Sequence, residues 1–292
     1  MLFPLNIAHR GGAQLWPENT LPAFVAAASA GFDAAELDVQ LTRDDRLIVF
    51  HDFRLKRDLC RSPAGRWLPL LRRTPAISSL DFAELRRFEV GRARPGSIYA
   101  RRHSAVTSSD GTLMPSLAEV IAAVKQANRR FRLFIEFKTS VRPGLSAPPE
   151  ALADAVLDEL RAAEFTNRAV LVGFHWAGLT YAKKRSPQIK CWFNTSVRAK
   201  AGAREIESKG GDGWFCPLPR ATPRAIEQAR RHGLEFGVWT VNRPADMQRL
   251  IAAGVDGICT DRPDRLQRLI EVKRPATADE APADRPAGRR GI

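Results

Sequence analysis

Long apolar runs are missing from this sequence. Nowhere does it hold the roughly 18 consecutive apolar residues that a membrane helix needs. Its first residues, MLFPLNIAHR, lack the basic flank and extended apolar stretch of a secretory signal, so a cytoplasmic location is the expectation. Cysteine is scarce: Cys60, Cys191, Cys216 and Cys259 lie far apart with no C-x-x-C spacing. That pattern indicates neither a zinc site nor a disulfide framework, and three of the four sit in apolar strand-like runs that suit buried free thiols. No Gly-rich dinucleotide fingerprint occurs, which argues against an open doubly wound sheet. Acidic residues are the scarcer charge, 32 against 46 basic, for a net charge of +14.

The basic excess is uneven. Residues 53–102 hold 13 Lys/Arg against 4 Asp/Glu, a local excess of +9. Such a segment can attract phosphate-bearing substrates, an anionic membrane or nucleic acid. No aromatic-interleaved basic motif accompanies it, so a solvated Arg-rich surface is the simpler reading and no nucleic-acid partner is expected. Peripheral contact with an anionic membrane through this segment remains open.

With 292 residues, 44% hydrophobic and 27% charged, the chain suits one large globular domain, with or without an insertion. Short β-branched and aromatic runs alternate with helical stretches, the pattern of βα units around a parallel sheet. The strand-like runs are 5–9, 34–41, 131–138, 169–174, 190–194, 213–216, 235–241 and 255–260. Helical stretches fall at 19–30, 116–128, 149–164, 223–232 and 244–253. A further run at 47–50 follows the second strand after only residues 42–46, too little chain for a parallel crossover, so it must fold back antiparallel. The expected fold is therefore a TIM (β/α)₈ barrel over residues 1–272 with an insertion at about 52–113 after the second strand. The insertion offers one short helix at 81–88, and a loop of this length at the catalytic face is usually functional. Residues 273–292 are poor in large apolar side chains and read as a disordered tail.

Barrel enzymes carry their chemistry at the C-terminal ends of the strands. The first strand ends in His9-Arg10-Gly11. The second carries Glu36 and Asp38, which share one face because a strand repeats every two residues. The folded-back run ends in His51-Asp52. The third barrel strand carries Glu136 and Lys138, again on one face. Inward charges in a barrel need a reason. Three carboxylates with no Cys or His pair among them suit a hard cation, Mg²⁺ or Ca²⁺. Two histidines suit an in-line phosphoryl displacement, one taking a proton from the attacking oxygen and the other protonating the leaving alcohol. Arg10 and Lys138 suit the non-bridging phosphate oxygens, the former bidentate and the latter as a point charge. Each residue also has a structural reading: a lone barrel histidine is commonly structural, and Glu36 with Lys138 would make a buried ion pair. The whole set is harder to explain away, because three buried carboxylates need compensating cations.

These residues sit in a longer pattern: His9-Arg10-Gly11, five residues, Pro17-Glu18-Asn19-Thr20, then Glu36-Leu37-Asp38-Val39, Thr42, His51-Asp52 and Ile135-Glu136-Phe137-Lys138. Trp239-Thr240-Val241-Asn242 and Gly254-Val255-Asp256-Gly257-Ile258-Cys259-Thr260-Asp261 extend it. Over about residues 5–270 the chain resembles the glycerophosphodiester phosphodiesterase family. The resemblance implies a barrel with an insertion after its second strand, His9 and His51 as acid and base, and Glu36, Asp38 and Glu136 around one divalent cation. It implies hydrolysis to glycerol 3-phosphate and an alcohol such as choline or ethanolamine. Asn19 suits a helix cap, Glu18 a residue that orients neighbours, and Trp239 and Phe174 either a substrate pocket or the core. The chain departs from the family in Gly173-Phe174, where Ser-Phe is frequent, and in residues 55–66, which lack a Thr- and Gly-rich stretch. Two alternatives stay open: a lysophospholipase D acting on lysolipids with the same machinery, and a non-catalytic barrel that binds anions or nucleic acid. Oligomeric state is not legible.

Overall fold

A computed structural model describes residues 3–273. Eight parallel strands close a barrel: β1 (Leu5–Ala8), β2 (Ala34–Leu41), β4 (Arg132–Phe137), β5 (Ala169–Gly173), β6 (Lys190–Asn194), β7 (Gly213–Pro217), β8 (Glu235–Trp239) and β9 (Gly257–Thr260). Each pairs with the next, and β9 pairs with β1 through Leu5↔Gly257 to Ala8↔Thr260. The run at 47–50 forms β3 (Leu47–Val49), antiparallel to β2 through Val39↔Val49 and Leu41↔Leu47.

The helices start where the sequence supplies local signals. Thr20 caps α1 (Leu21–Ser29), its hydroxyl accepting from the Ala23 amide. This corrects the expectation that Asn19 is the cap. Asn19 instead turns in the left-handed region at φ 55° and donates to Asp38. The insertion holds α2 (Phe82–Leu85), shorter than expected, and α3 (Ile98–Arg102), which lacks an apolar period and left no trace in the sequence pattern. Ser116 and Glu119 form a capping box on α4 (Leu117–Ala127), satisfying two helix-end donors reciprocally. Proline opens α5 (Pro149–Ala162), α8 (Pro223–Arg231), α9 (Pro244–Ala253) and α10 (Pro263–Lys273), where its missing N–H costs nothing. Two more helices, α6 (Trp176–Arg185) and α7 (Ala203–Ser208), complete the outer ring. The tail expected to be disordered lies, from 274 onward, outside the described residues.

Strand alternation divides the core in two. Outward residues of the strands, such as Leu37, Ile135 and Phe193, pack against the helices in one large cluster. Inward residues Ile7, Phe134, Val172, Trp192, Phe215 and Cys259 fill the barrel. Trp192 is the plug: a Cβ on Gly237 would lie 2.3 Å from its ring and one on Gly213 2.4 Å, so only glycine admits the indole. Ile48, Phe50, Leu55, Cys60, Ile77, Leu85, Val90 and Met114 form a separate small core inside the insertion. All four cysteines are buried and free. No helix among the described residues is long and apolar enough to cross a membrane.

Gly237→Ala should overpack the plug by about 1–3 kcal/mol. For a chain of this size that lowers Tm by roughly 2–6 °C in a calorimetric scan. An unchanged Tm would mean that Trp192 is not locked between these strands.

Candidate active site at the mouth of the barrel

Above the apolar plug the inward positions turn polar. Glu36 and Asp38 on β2 and Glu136 on β4 are buried, and each offers an oxygen within 4.8 Å of the others. The pairing Asp38↔Glu136 in the β2–β4 ladder sets this: neighbouring strands lie under 5 Å apart, so paired inward residues must meet. Three like charges in one buried place repel. Burial pushes the Glu36 carboxyl up, and the charges of Asp38 and Glu136 push it well above the usual carboxylate range. Asp38 is equally buried, but the positive charges of His51, Lys138 and Arg10, with a hydrogen bond from Asn19, outweigh burial and hold it below that range.

Two cations partly compensate. Lys138 donates to Glu136 at 2.8 Å and lies 3.4 Å from Asp38, so it does not pair with Glu36 as one reading of the sequence allowed. Burial alone would lower the Lys138 ammonium; the two carboxylates raise it instead. Arg10 follows β1 in a tight turn with φ 50°, next to Gly11 at φ 84°. A side chain in that left-handed region costs on the order of 1–3 kcal/mol. The turn folds the guanidinium back over the carboxylates. Its backbone N–H donates to Glu36 at 3.1 Å, Nη1 donates to Glu18 at 3.1 Å, and Nε sits 3.4 Å from Asp38. Glu18 is in turn held by the Tyr99 hydroxyl at 2.7 Å, which ties α3 of the insertion to the barrel.

Both histidines approach the same place, each backed by a carboxylate. His9 meets Asp261 through Nδ1 at 2.6 Å, and its Nε2 lies 3.9 Å from Glu36. His51 meets Asp52 through Nδ1 at 2.8 Å. A carboxylate accepts only, so Nδ1 carries the proton in each pair and Nε2 faces the site. Burial raises Asp261, but the hydrogen bond and charge of His9, with the Asn242 amide at 2.6 Å, keep it below the usual range. Burial likewise opposes, and His51 and Lys56 overcome, at Asp52, held at about 2. The β2–β3 hairpin explains how His51 arrives: the chain rises past Leu41, turns back, and the Phe50 amide donates to the Asp38 carbonyl, leaving the next residue level with the carboxylates.

A cavity of about 150 Å³ is bounded by His9, Arg10, Glu36, His51 and Glu136 on one side and by Phe174 and Trp239 on the other. The two aromatic rings meet edge to face at 5.3 Å; both line the cavity, and Trp239 also packs against the barrel core. Asn194, on β6, also lines it; its amide nitrogen reaches Glu136 at 3.3 Å and its Oδ1 is buried with no hydrogen-bond partner. Asn194 carried no signal as a site residue in the sequence beyond its place at a strand end; Asn242 and Asp261 fell within the family pattern, but nothing in it tied them to His9.

The three carboxylates fit a hard divalent cation: the donor set is oxygen only, and the excess negative charge that drives Glu36 up is what such an ion relieves.

A family model described as the glycerophosphoryl diester phosphodiesterase family matches residues 9–265. A protein of Caldanaerobacter subterraneus subsp. tengcongensis named glycerophosphodiester phosphodiesterase is 28% identical over 271 residues, spanning 91% of this chain and 97% of its own. An uncharacterized Bacillus subtilis protein, YqiK, is 31% identical over 267 residues, spanning 90% and 97%. A solved structure from Silicibacter pomeroyi DSS-3 superposes with a TM-score of 0.84 at 29% identity, covering 91% of this chain and 92% of that one.

The raised Glu36 fixes a sign. Without a cation the folded protein holds this proton more tightly than the unfolded chain does. The stability so gained is complete below the unfolded value near 4.5 and is lost as pH rises through the higher folded value. A cation must displace the proton, so its affinity rises over the same window. At one fixed concentration, about 100 times the Kd that holds at pH 8, Mg²⁺ or Ca²⁺ should add about 2.7 kcal/mol at pH 8, several degrees of Tm, and less at pH 5, where its affinity is lower. No shift at either pH with either ion would remove the cation site.

Proposed function

The chain belongs to the glycerophosphoryl diester phosphodiesterase family and is an enzyme that hydrolyses glycerophosphodiesters, and we propose that it does so with one divalent cation and two histidines. The observation that carries this reading is the convergence of three buried carboxylates, two carboxylate-backed histidines and two cations on one small cavity. The non-catalytic alternative falls with the family assignment.

Glu36, Asp38 and Glu136 would hold Mg²⁺ or Ca²⁺, which when bound draws charge from the phosphoryl oxygens. Arg10 has a buried Nε without a hydrogen bond and is held over the site by Glu18. It binds a non-bridging phosphate oxygen, and Lys138 steadies the growing negative charge from the β4 side. One histidine takes the proton of the attacking oxygen as the new P–O bond forms. The other gives a proton to the leaving alcohol as the old P–O bond breaks. Asp261 and Asp52 are positioning residues that fix the tautomer and hold each imidazolium as it forms. Phe174 and Trp239 form an apolar wall for the glycerol or alcohol carbons, and Asn194 Oδ1 accepts from a glycerol hydroxyl. The products are glycerol 3-phosphate and an alcohol such as choline or ethanolamine. Four buried free thiols fit the cytoplasm, which belongs to the same proposal.

The test is release of glycerol 3-phosphate from glycerophosphocholine and glycerophosphoethanolamine. His9→Ala and His51→Ala should each lower kcat about 10²- to 10⁴-fold, and EDTA should abolish turnover until Mg²⁺ or Ca²⁺ is restored. Full activity in EDTA, or in either histidine variant, would overturn the mechanism.

A further inference from the structure

We infer that the catalytic face docks on an anionic lipid surface. Seven large apolar side chains are strongly exposed among the described residues, and six of them follow the C-terminal ends of barrel strands. Leu70, Leu71 and Ile98 lie in the insertion, Val141 after β4, Phe174 after β5 and Val197 after β6. Only Val272, on α10, stands elsewhere. Leu71 is 100% exposed and Leu70 62%, beside each other at a loop tip. Scattered exposed leucines are ordinary, whereas exposure concentrated at one end of a barrel is not.

Basic side chains stand among these tips. Arg72 and Arg73 follow the two leucines, Arg142 follows Val141, and Arg198 follows Val197. All four are exposed, and their guanidinium groups make no hydrogen bond or ion pair among the described residues. The insertion and the β4–α5 loop face each other across a depression of about 600 Å³, lined by Leu70 and Arg73 on one side and Arg142 and Leu145 on the other. Asp52 and Asp58 are the acids on its wall, against Arg54, Lys56, Arg57, Arg73 and Arg142. Apolar tips that enter the acyl boundary, ringed by cations that meet lipid phosphates, are the two components of peripheral membrane binding. A nucleic acid would use the arginines but has no use for bare leucine tips. The depression shares Asp52 with the His51 pair, so a surface docked here lies beside the active site.

Co-sedimentation of the full chain with phosphatidylglycerol-containing vesicles, with pure phosphatidylcholine vesicles and with duplex DNA tests this at about 0.15 M salt. Binding to the anionic vesicles is expected. Arg73→Ala with Arg142→Ala should weaken it about 25-fold, at roughly fivefold for each basic residue near the surface. Leu70→Ser with Leu71→Ser should weaken it tenfold or more. Both double variants should hydrolyse water-soluble glycerophosphocholine normally, which separates failed docking from a failed active site. Absence of vesicle binding, or binding that survives either double substitution, overturns the inference. Loss with the arginine pair but not the leucine pair, alongside equal affinity for DNA, identifies a general polyanion site and overturns it too.

Discussion

Mutual repulsion among Glu36, Asp38 and Glu136 is the constraint around which the upper half of the molecule is built. A barrel closed only by apolar side chains would be simpler to fold, yet β2 and β4 aim three carboxylates into its mouth. Unpaired, each would cost several kcal/mol to bury. The surrounding residues answer that cost one by one. Lys138 bridges Glu136 and Asp38. Arg10 accepts an unfavourable backbone conformation to reach Glu36, Asp38 and Glu18, and Asn19 does the same to hold Asp38. Compensation is incomplete, as the raised Glu36 records. An incompletely neutralised anionic centre is a fitting receptor for a divalent ion and a poor one for a bare phosphodiester.

Geometry then decides which protons can move. Both imidazoles are anchored through Nδ1 to a carboxylate, Asp261 for His9 and Asp52 for His51. They reach the cavity from different parts of the chain: His9 from the end of β1, His51 from a hairpin that climbs above the barrel and returns. In the proposed mechanism, placing the acid and the base on separate elements lets one act on each side of a phosphorus centre.

Much of this was legible in the sequence, for a definite reason. Period-2 alternation puts Glu36 with Asp38, and Glu136 with Lys138, on one face without knowledge of the fold. The five-residue link between β2 and β3 forbids a parallel crossover and so implies the return of His51. What stayed hidden depends on closure of the ring. Asp261 meets His9 across 252 positions, and only the β9–β1 ladder brings them together. Asn194 owes its role to the β6 level within the barrel. The contact of Tyr99 with Glu18 depends on how the insertion packs, which no periodicity encodes. The helix cap was misread by one residue because Asn19 and Thr20 are both capable caps and only tertiary pull from Asp38 chooses between them.

The insertion enters beside β3 and leaves at Ser116, and these ends touch through the Ile48–Ser116 bridge while the segment keeps a small core of its own. A loop whose ends are already pinned together adds little entropy cost as it lengthens, since doubling it costs only about 0.6 kcal/mol. Apart from Asp52 and Tyr99, the segment between His51 and α4 is therefore free to change length and sequence at small thermodynamic expense to the barrel. Its exposed tips can drift while the carboxylates, fixed in the strands, stay put.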